Sequence, residues 1–350
     1  MKNNEKNIFI IRIFLIFIAI GILTIFNYLI DPFQQYRVPK FYTLANYRGN
    51  ERALNSGLIK NSDYDSIIIG SSMTRNFDTN YLNKLLEWKS LKLTMSGASQ
   101  KDIKKTLDFV NRNRKINNIL LGIDIETFFQ NVNSERVAFP EYMYDKNSLK
   151  NNIKYLWNLT VLKESLKIIK MNFLDKKSIE RTFPLGYRYI YSKEEVLKNQ
   201  KEEILNHNYS LNNPDKNIIK NMENNYKENL KKILEENKDK KIVVFFPPYS
   251  ILYYDELIIN NQIKEYIFFK KYLIMELLKY KNIEIFDFQD IKKIIFNLDN
   301  YGDKVHFSPE VSQKLLEFIS LNQEKINNEK EMNEKIESLI EESKNIEGNI

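Results

Sequence analysis

Residues 8–30 read IFIIRIFLIFIAIGILTIFNYLI, an almost unbroken apolar run. As a helix it is long enough to cross the roughly 30 Å hydrocarbon layer of a bilayer, so whatever follows it folds on a tether. Arg12 sits near the start, where its long side chain can snorkel to the headgroups. Lys2, Lys6 and Arg12 lie on the N-terminal side, which predicts that end inside and the bulk of the chain outside. A cleaved signal peptide is the rival reading. Its apolar region runs to about 7–15 residues and ends in small residues. The run here is longer, and Asn27-Tyr28-Leu29-Ile30-Asp31-Pro32 offers no small-residue cleavage site. The expectation is an uncleaved, single-pass anchor in the cell membrane with an extracytoplasmic C-terminal domain. No second stretch is comparably long and apolar.

Composition narrows the chemistry. There is no Cys, which excludes disulfides, thiolate metal sites and a Cys nucleophile. The two His, His207 and His306, are too few for a His-rich metal site, so neither metal nor cofactor is expected. His207 lies in a polar helical stretch and reads as exposed. The net charge of +7 is mild for 350 residues and suits an anionic membrane surface or glycan. With no focused basic patch and no phosphate-cradling Gly loop, a nucleic-acid partner is not expected.

After a connector over 31–64, strand-like and helix-like segments alternate. Strands are predicted at 66–70, 91–95, 118–125, 241–246 and 283–286, with helices at 80–88, 101–113, 263–280 and 309–321. Alternation of this kind implies an α/β domain over 65–322, with a mainly parallel five-stranded sheet and helices on both faces. Residues 130–235 read mostly as helices with aromatic connectors, such as 181–187, and are expected to form a cap inserted over the sheet. Residues 323–350 are rich in Glu, Lys and Asn and read as a solvated, charged helical tail.

Open parallel sheets gather their sites at the carboxyl ends of the strands. The first strand ends in Gly70-Ser71-Ser72-Met73-Thr74-Arg75 and the second in Met95-Ser96-Gly97. The third contains Gly122-Ile123-Asp124, the fourth ends in Pro247-Pro248-Tyr249-Ser250, and Asp303-Lys304-Val305-His306 follows the fifth. A Ser hydroxyl needs a base to take its proton as it attacks, and His is the usual one. His306 is the only His after the last predicted strand. Asp303 lies close enough along the chain to fix its tautomer. Arg75 is a candidate contact for an anionic substrate, and Tyr249 and Ser250 are candidate rim residues.

This order of motifs resembles the SGNH (GDSL-type) hydrolase superfamily over roughly residues 60–320, leaving out the insertion. The resemblance implies a flavodoxin-like three-layer sandwich. It implies Ser72 as nucleophile, His306 as base and Asp303 as its orienting carboxylate. The backbone N–H groups of Ser72 and Gly97 become oxyanion donors by position. The family's third donor is an Asn side chain, and here that place holds Asp124; an ionised carboxylate cannot donate. The Gly-Ser-Ser turn behind a single anchor is similar to an envelope branch that includes the teichoic acid D-alanylation protein and exopolysaccharide O-acetyltransferases. The expected function is therefore an extracytoplasmic esterase or O-acyltransferase working through an acyl-Ser72 intermediate on an envelope polysaccharide or lipid-linked glycan. Such relatives often act with a membrane-bound O-acyltransferase, which makes one a candidate partner. The alternative is a non-catalytic envelope assembly or glycan-binding scaffold, to which Asp124 points.

Overall fold

The computed structural model describes residues 2–42, 50–145, 148–174, 189–198, 204 and 206–350. In chain order it begins with α1 (Lys2–Ile30), α2 (Glu51–Asn61), β1 (Ser66–Gly70), α3 (Thr79–Leu86), β2 (Ser90–Thr94), α4 (Gln100–Asn113) and β3 (Asn118–Gly122). Next come α5 (Leu149–Leu156), α6 (Leu159–Ile169), α7 (Lys193–Lys198), α8 (Lys216–Asn225) and α9 (Lys231–Glu236). The chain continues with β4 (Lys241–Phe246), α10 (Ile251–Ile259), α11 (Ile263–Leu277), β5 (Ile283–Asp287) and α12 (Lys292–Ile295). It closes with α13 (Pro309–Ser320), β6 (Lys325–Ile326) and α14 (Glu329–Lys344).

These elements form two compact units, Met1–Ser62 with Phe139–Thr182, and Asp63–Ala138 with Phe183–Ile350. The insertion expected over 130–235 is thus divided between them, and the connector expected over 31–64 contains α2. The aromatic connector at 181–187 lies outside the described residues.

In the first unit, Glu5–Ile30 of α1 is long and apolar enough to span a membrane, with a mean hydropathy of 2.9. α5 and α6 pack on its C-terminal half and satisfy its polar side chains. Asn27 donates to the Leu156 carbonyl at 2.8 Å and accepts from the Ser165 hydroxyl at 3.1 Å. The Trp157 indole N–H donates to Thr24 Oγ1 at 2.8 Å. Asp31, at φ 46°, turns the chain out of the helix. Its carboxylate then accepts the amides of Gln35 and Tyr36 and the Tyr155 hydroxyl, each at 2.8 Å.

The second unit is built on one sheet with strand order β2-β1-β3-β4-β5-β6. The first five strands are parallel, and β6 pairs antiparallel with β5 through Ile285↔Ile326 and Phe286↔Lys325. Five strands were expected. The sixth is an edge strand of two residues, too short to carry a periodicity. β1 and the last five residues of β4 are buried throughout, as strands covered on both faces must be. The chain reverses its direction of travel across the sheet at β1. Right-handed crossovers then put α3 on one face and α4, α9 and α11 on the other. The contacts agree: α3 packs with α13, α4 with α9, and α8 with α11. The crevice between the carboxyl ends of β1 and β3 is the switch point where such sheets hold ligands.

The segment 323–350 is not a solvated tail. Met332, Ile336 and Leu339 of α14 are buried, and the helix packs on α10 and α11. Its helical apolar spacing outweighs the surrounding charge because those charges lie on the opposite face.

Candidate functional site

β1 delivers its chain end to the switch point through a turn that only glycine permits. A Cβ on Gly70 would lie 2.6 Å from the Thr74 side chain. Ser71 caps the 3-10 turn Ser72–Thr74, its hydroxyl accepting the Met73 amide at 3.2 Å. Ser72 is the first residue of that turn, so its own amide has no acceptor within it. Thr74 ties the turn down, donating to the Ser71 carbonyl at 2.9 Å and lying 2.5 Å from the Thr94 hydroxyl on β2.

The loop before α13 brings the histidine to this turn. An antiparallel bridge joins Tyr301 to Phe307, and the Gly302 amide donates to the His306 carbonyl at 2.9 Å. The Ser250 amide and hydroxyl both donate to the Lys304 carbonyl, at 3.1 and 2.7 Å. Asn76, just past the serine turn, donates to the Phe307 carbonyl. Two loops distant in sequence are thereby held in register.

Within this frame His306 Nε2 lies 2.9 Å from Ser72 Oγ, and Nδ1 lies 2.7 Å from Asp303 Oδ2. The other oxygen of Asp303 accepts the amides of Val305 and His306 at 2.9 and 2.8 Å. Burial pushes the Asp303 carboxyl up, but its bonds to the imidazole and these amides prevail and hold it below the usual value. An ionised Asp303 keeps the Nδ1 proton in place and leaves Nε2 able to accept from the serine. Ser72, Asp303 and His306 therefore come together as the sequence predicts.

Gly97 has φ +57°, a left-handed turn that favours glycine, and a Cβ there would press on Arg136 Cδ at 3.3 Å. Asp124 follows β3 and is buried. The Tyr249 hydroxyl donates to Asp124 Oδ1, and Ser71 also hydrogen-bonds the carboxyl. Burial pushes Asp124 up to about 6, against the pull of those two hydroxyls and of His306, while Glu126 adds to the rise. Burial also holds the Tyr249 phenol well above its ordinary value, so it keeps its proton and donates.

The other predicted residues have different duties. Tyr249 and Ser250 are buried, not on a rim. The first holds Asp124 and the second holds the His306 loop. The Arg75 guanidinium donates to Ser96 at 2.5 Å, bridging the ends of β1 and β2. His207 is not exposed in a helix: its imidazole bonds the buried Asp255 on α10 at 2.5 Å. Sequence reasoning missed Asn76, Lys92 and Tyr189. Lys92 is buried on β2 and donates to the carbonyls of Arg75 and Phe77 at 2.6 and 2.8 Å, fixing the exit of the serine turn. Burial, with the nearby Arg75 charge, pushes its ammonium down to about 7. Tyr189 stacks on the His306 ring with centroids 5.3 Å apart. Gly302 makes room for it, since a Cβ there would lie 2.3 Å from Tyr189 Cβ.

A cleft of about 530 Å³ adjoins the site, lined by Asp303 on one side and Arg136 on another. Its charges are largely paired, Arg136 with Glu126 at 2.8 Å and Lys304 with Glu256 at 3.0 Å. Among the described residues no group of three or more His, Asp or Glu is arranged to hold a metal ion. No model of a known protein family matches the chain, and no curated protein matches it.

Proposed function

We propose that this chain is a membrane-anchored acyl-transfer enzyme of the SGNH type, an esterase or O-acyltransferase acting outside the cytoplasm on an envelope polysaccharide or lipid-linked glycan. The observation that carries it is the unbroken chain of hydrogen bonds from Ser72 through His306 to Asp303. The doubly wound strand order supports the flavodoxin-like three-layer sandwich of that superfamily. The apolar α1 with its basic leader supports the topology.

In this reading Ser72 Oγ attacks an ester or thioester carbonyl as its proton passes to His306 Nε2. The carbonyl oxygen gains the negative charge, and the amides of Ser72 and Gly97 receive it. Collapse of the intermediate breaks the bond to the leaving group, which takes the proton from Nε2. Water, or a glycan hydroxyl seated in the cleft beside Asp303, then gives its proton to His306 and attacks acyl-Ser72, and collapse of that intermediate breaks the acyl–Oγ bond as Ser72 takes the proton back from Nε2. Asp303 stays ionised throughout and stabilises the imidazolium.

Asp124 completes the oxyanion site as a neutral acid. Tyr249 and Ser71 fill its acceptor positions, which leaves the carboxyl O–H to donate to the oxyanion. Raising the pH through about 6 removes that proton, and by pH 8 only about one molecule in a hundred retains it. One such donor is worth about 10²–10³ in rate. Asp124→Asn donates at every pH. The ratio of its kcat/KM to the wild-type value is expected near one at pH 5 and to climb about tenfold per unit above pH 6, towards about 100 at pH 8. A flat ratio sinks this role. Stability follows the same proton. The folded pKa lies above the unfolded one, so the contribution of the neutral carboxyl is complete below 3.8 and lost as pH rises through about 6.

The enzyme reading is tested with a serine-directed fluorophosphonate and p-nitrophenyl acetate on the detergent-solubilised full chain. Labelling at Ser72, absent from His306→Ala, is the expected result. A folded protein that neither labels nor turns over is instead the non-catalytic scaffold, with Asp124 ionised against the oxyanion.

A further inference from the structure

Helix α6 carries more apolar surface than its neighbours cover. Val161, Ser165 and Ile168 face inward and are buried. A second stripe runs along Leu159, Leu162, Leu166 and Ile169, a spacing that keeps it on one side of the helix, and Phe173 follows in the π-helical turn Lys170–Leu174. Leu159, Leu166 and Phe173 are 70%, 53% and 50% exposed. On the preceding helix Leu149 is 78% exposed, and the corner residue Trp157 is 49% exposed. Lys163, Lys167 and Lys170 flank the outward stripe, and Lys150 and Lys154 lie on α5, against Glu164 as the one acid in 149–174.

The hairpin also has a fixed height. Its corner is bonded to Thr24 through Trp157 and to Asn27 through Leu156. Thr24 lies about 9 Å along the axis before the end of α1. A spanning α1 of about 35 Å apolar length in a core of about 30 Å leaves Thr24 inside the hydrocarbon edge. A segment bonded there has lipid beside it. Amphipathic helices of this make, apolar on one side with Lys beside it, bury about 5–10 Å into the headgroup and acyl boundary.

We propose that the α5–α6 hairpin is a second membrane element, lying in the leaflet that α1 leaves at Ile30, with its outward apolar stripe in the acyl chains and its lysines among anionic headgroups. The inference rests on α1 as a membrane anchor. It adds that the chain grips the bilayer surface beside that anchor through Trp157, Leu159, Leu166 and Phe173.

The chain has two Trp, so Trp88→Phe leaves Trp157 as the sole reporter. The full-length variant is placed in nanodiscs of phosphatidylcholine and phosphatidylglycerol. The expected result is blue-shifted emission, quenched strongly by lipid brominated high on the acyl chain and weakly by lipid brominated near its end. Moving the sole reporter onto the stripe, with Trp88→Phe, Trp157→Phe and Leu166→Trp, should give the same shallow quenching while the protein still resists alkaline extraction, and an unquenched Leu166→Trp in an inserted protein overturns the proposal. Trp157 unquenched in a protein that is firmly inserted overturns the hairpin proposal alone. If it is also shielded from aqueous acrylamide, a protein partner or second copy covers the stripe instead. A chain that alkali extracts from the disc overturns the anchor, and the hairpin with it.

Discussion

His306→Ala is expected to lower kcat on p-nitrophenyl acetate by about 10⁴-fold or more, and adding Ser72→Ala to it to lower kcat hardly further. In the proposed mechanism the two side chains act as one unit: a serine hydroxyl needs a base within hydrogen-bond reach to take its proton, and His306 Nε2, 2.9 Å from Ser72 Oγ, has no other task in the attack. Losses that multiply would mean two separate roles, and the proposed mechanism would fall. Asp303→Asn gives a finer test. Oδ1 holds the amides of Val305 and His306, so Asn can keep the loop by presenting its oxygen there. Its NH₂ then faces Nδ1 and drives the imidazole proton to Nε2, where it opposes the serine. A drop of about 10⁴ with the fold intact by circular dichroism is expected, as a misplaced tautomer alone costs that much. A rate about 10³–10⁴ above the uncatalysed reaction is expected to survive in all three variants, which the proposed mechanism assigns to the oxyanion donors and binding.

The parts of this site that were legible in the sequence are those set by short-range pattern. Ser72, Gly97 and Asp124 follow β1, β2 and β3 in order, and His306 lies in the loop before α13, all in segments whose strand and helix periods read off the sequence. What the sequence conceals is what tertiary contact decides. Lys92 looks like an outward polar residue in Ser90–Thr94, yet its strand is covered on both faces and its ammonium is used to hold two carbonyls. Asn76 and Ser250 bond carbonyls 231 and 54 residues away, which no local pattern reports. The helical spacing of Met332, Ile336 and Leu339 is legible in 323–350, but the surrounding charge favours a solvated reading over a packed one, and β6 is too short to have a period. On α6 both apolar stripes are visible by spacing alone. Reading the segment as part of a cap obscured the outward one, because a cap would have buried it.

Away from the site, the largest stability effect is expected at Lys270 on α11 and Asp287 at the end of β5. Their charged atoms are 2.6 Å apart, and both side chains are fully buried. Two effects compete when one charge is removed. The remaining ion has lost its partner in a low-dielectric core, which ordinarily costs about 3–5 kcal/mol. Against this, Lys335 stands near: burial pushes its ammonium down, but Asp287 and Asp290 outweigh that and hold it above its ordinary value. Lys335 is already bonded to Asp290 at 2.8 Å and to Glu324 at 2.5 Å, so it can compensate only in part. Lys270→Met is therefore expected to lose about 3 kcal/mol in guanidinium denaturation, at the lower end of that range. Lys270→Met/Asp287→Asn should recover most of it. It leaves no bare charge and keeps an acceptor for the Gln289 amide, which Asp287 Oδ1 now receives at 3.1 Å. If the double variant is as unstable as the single, the loss comes from packing around the lysine stem against Phe246 and not from the orphaned carboxylate. Recovery would show that the pair is tolerated in the core because each ion makes the other bearable, not because the pair outperforms a neutral one.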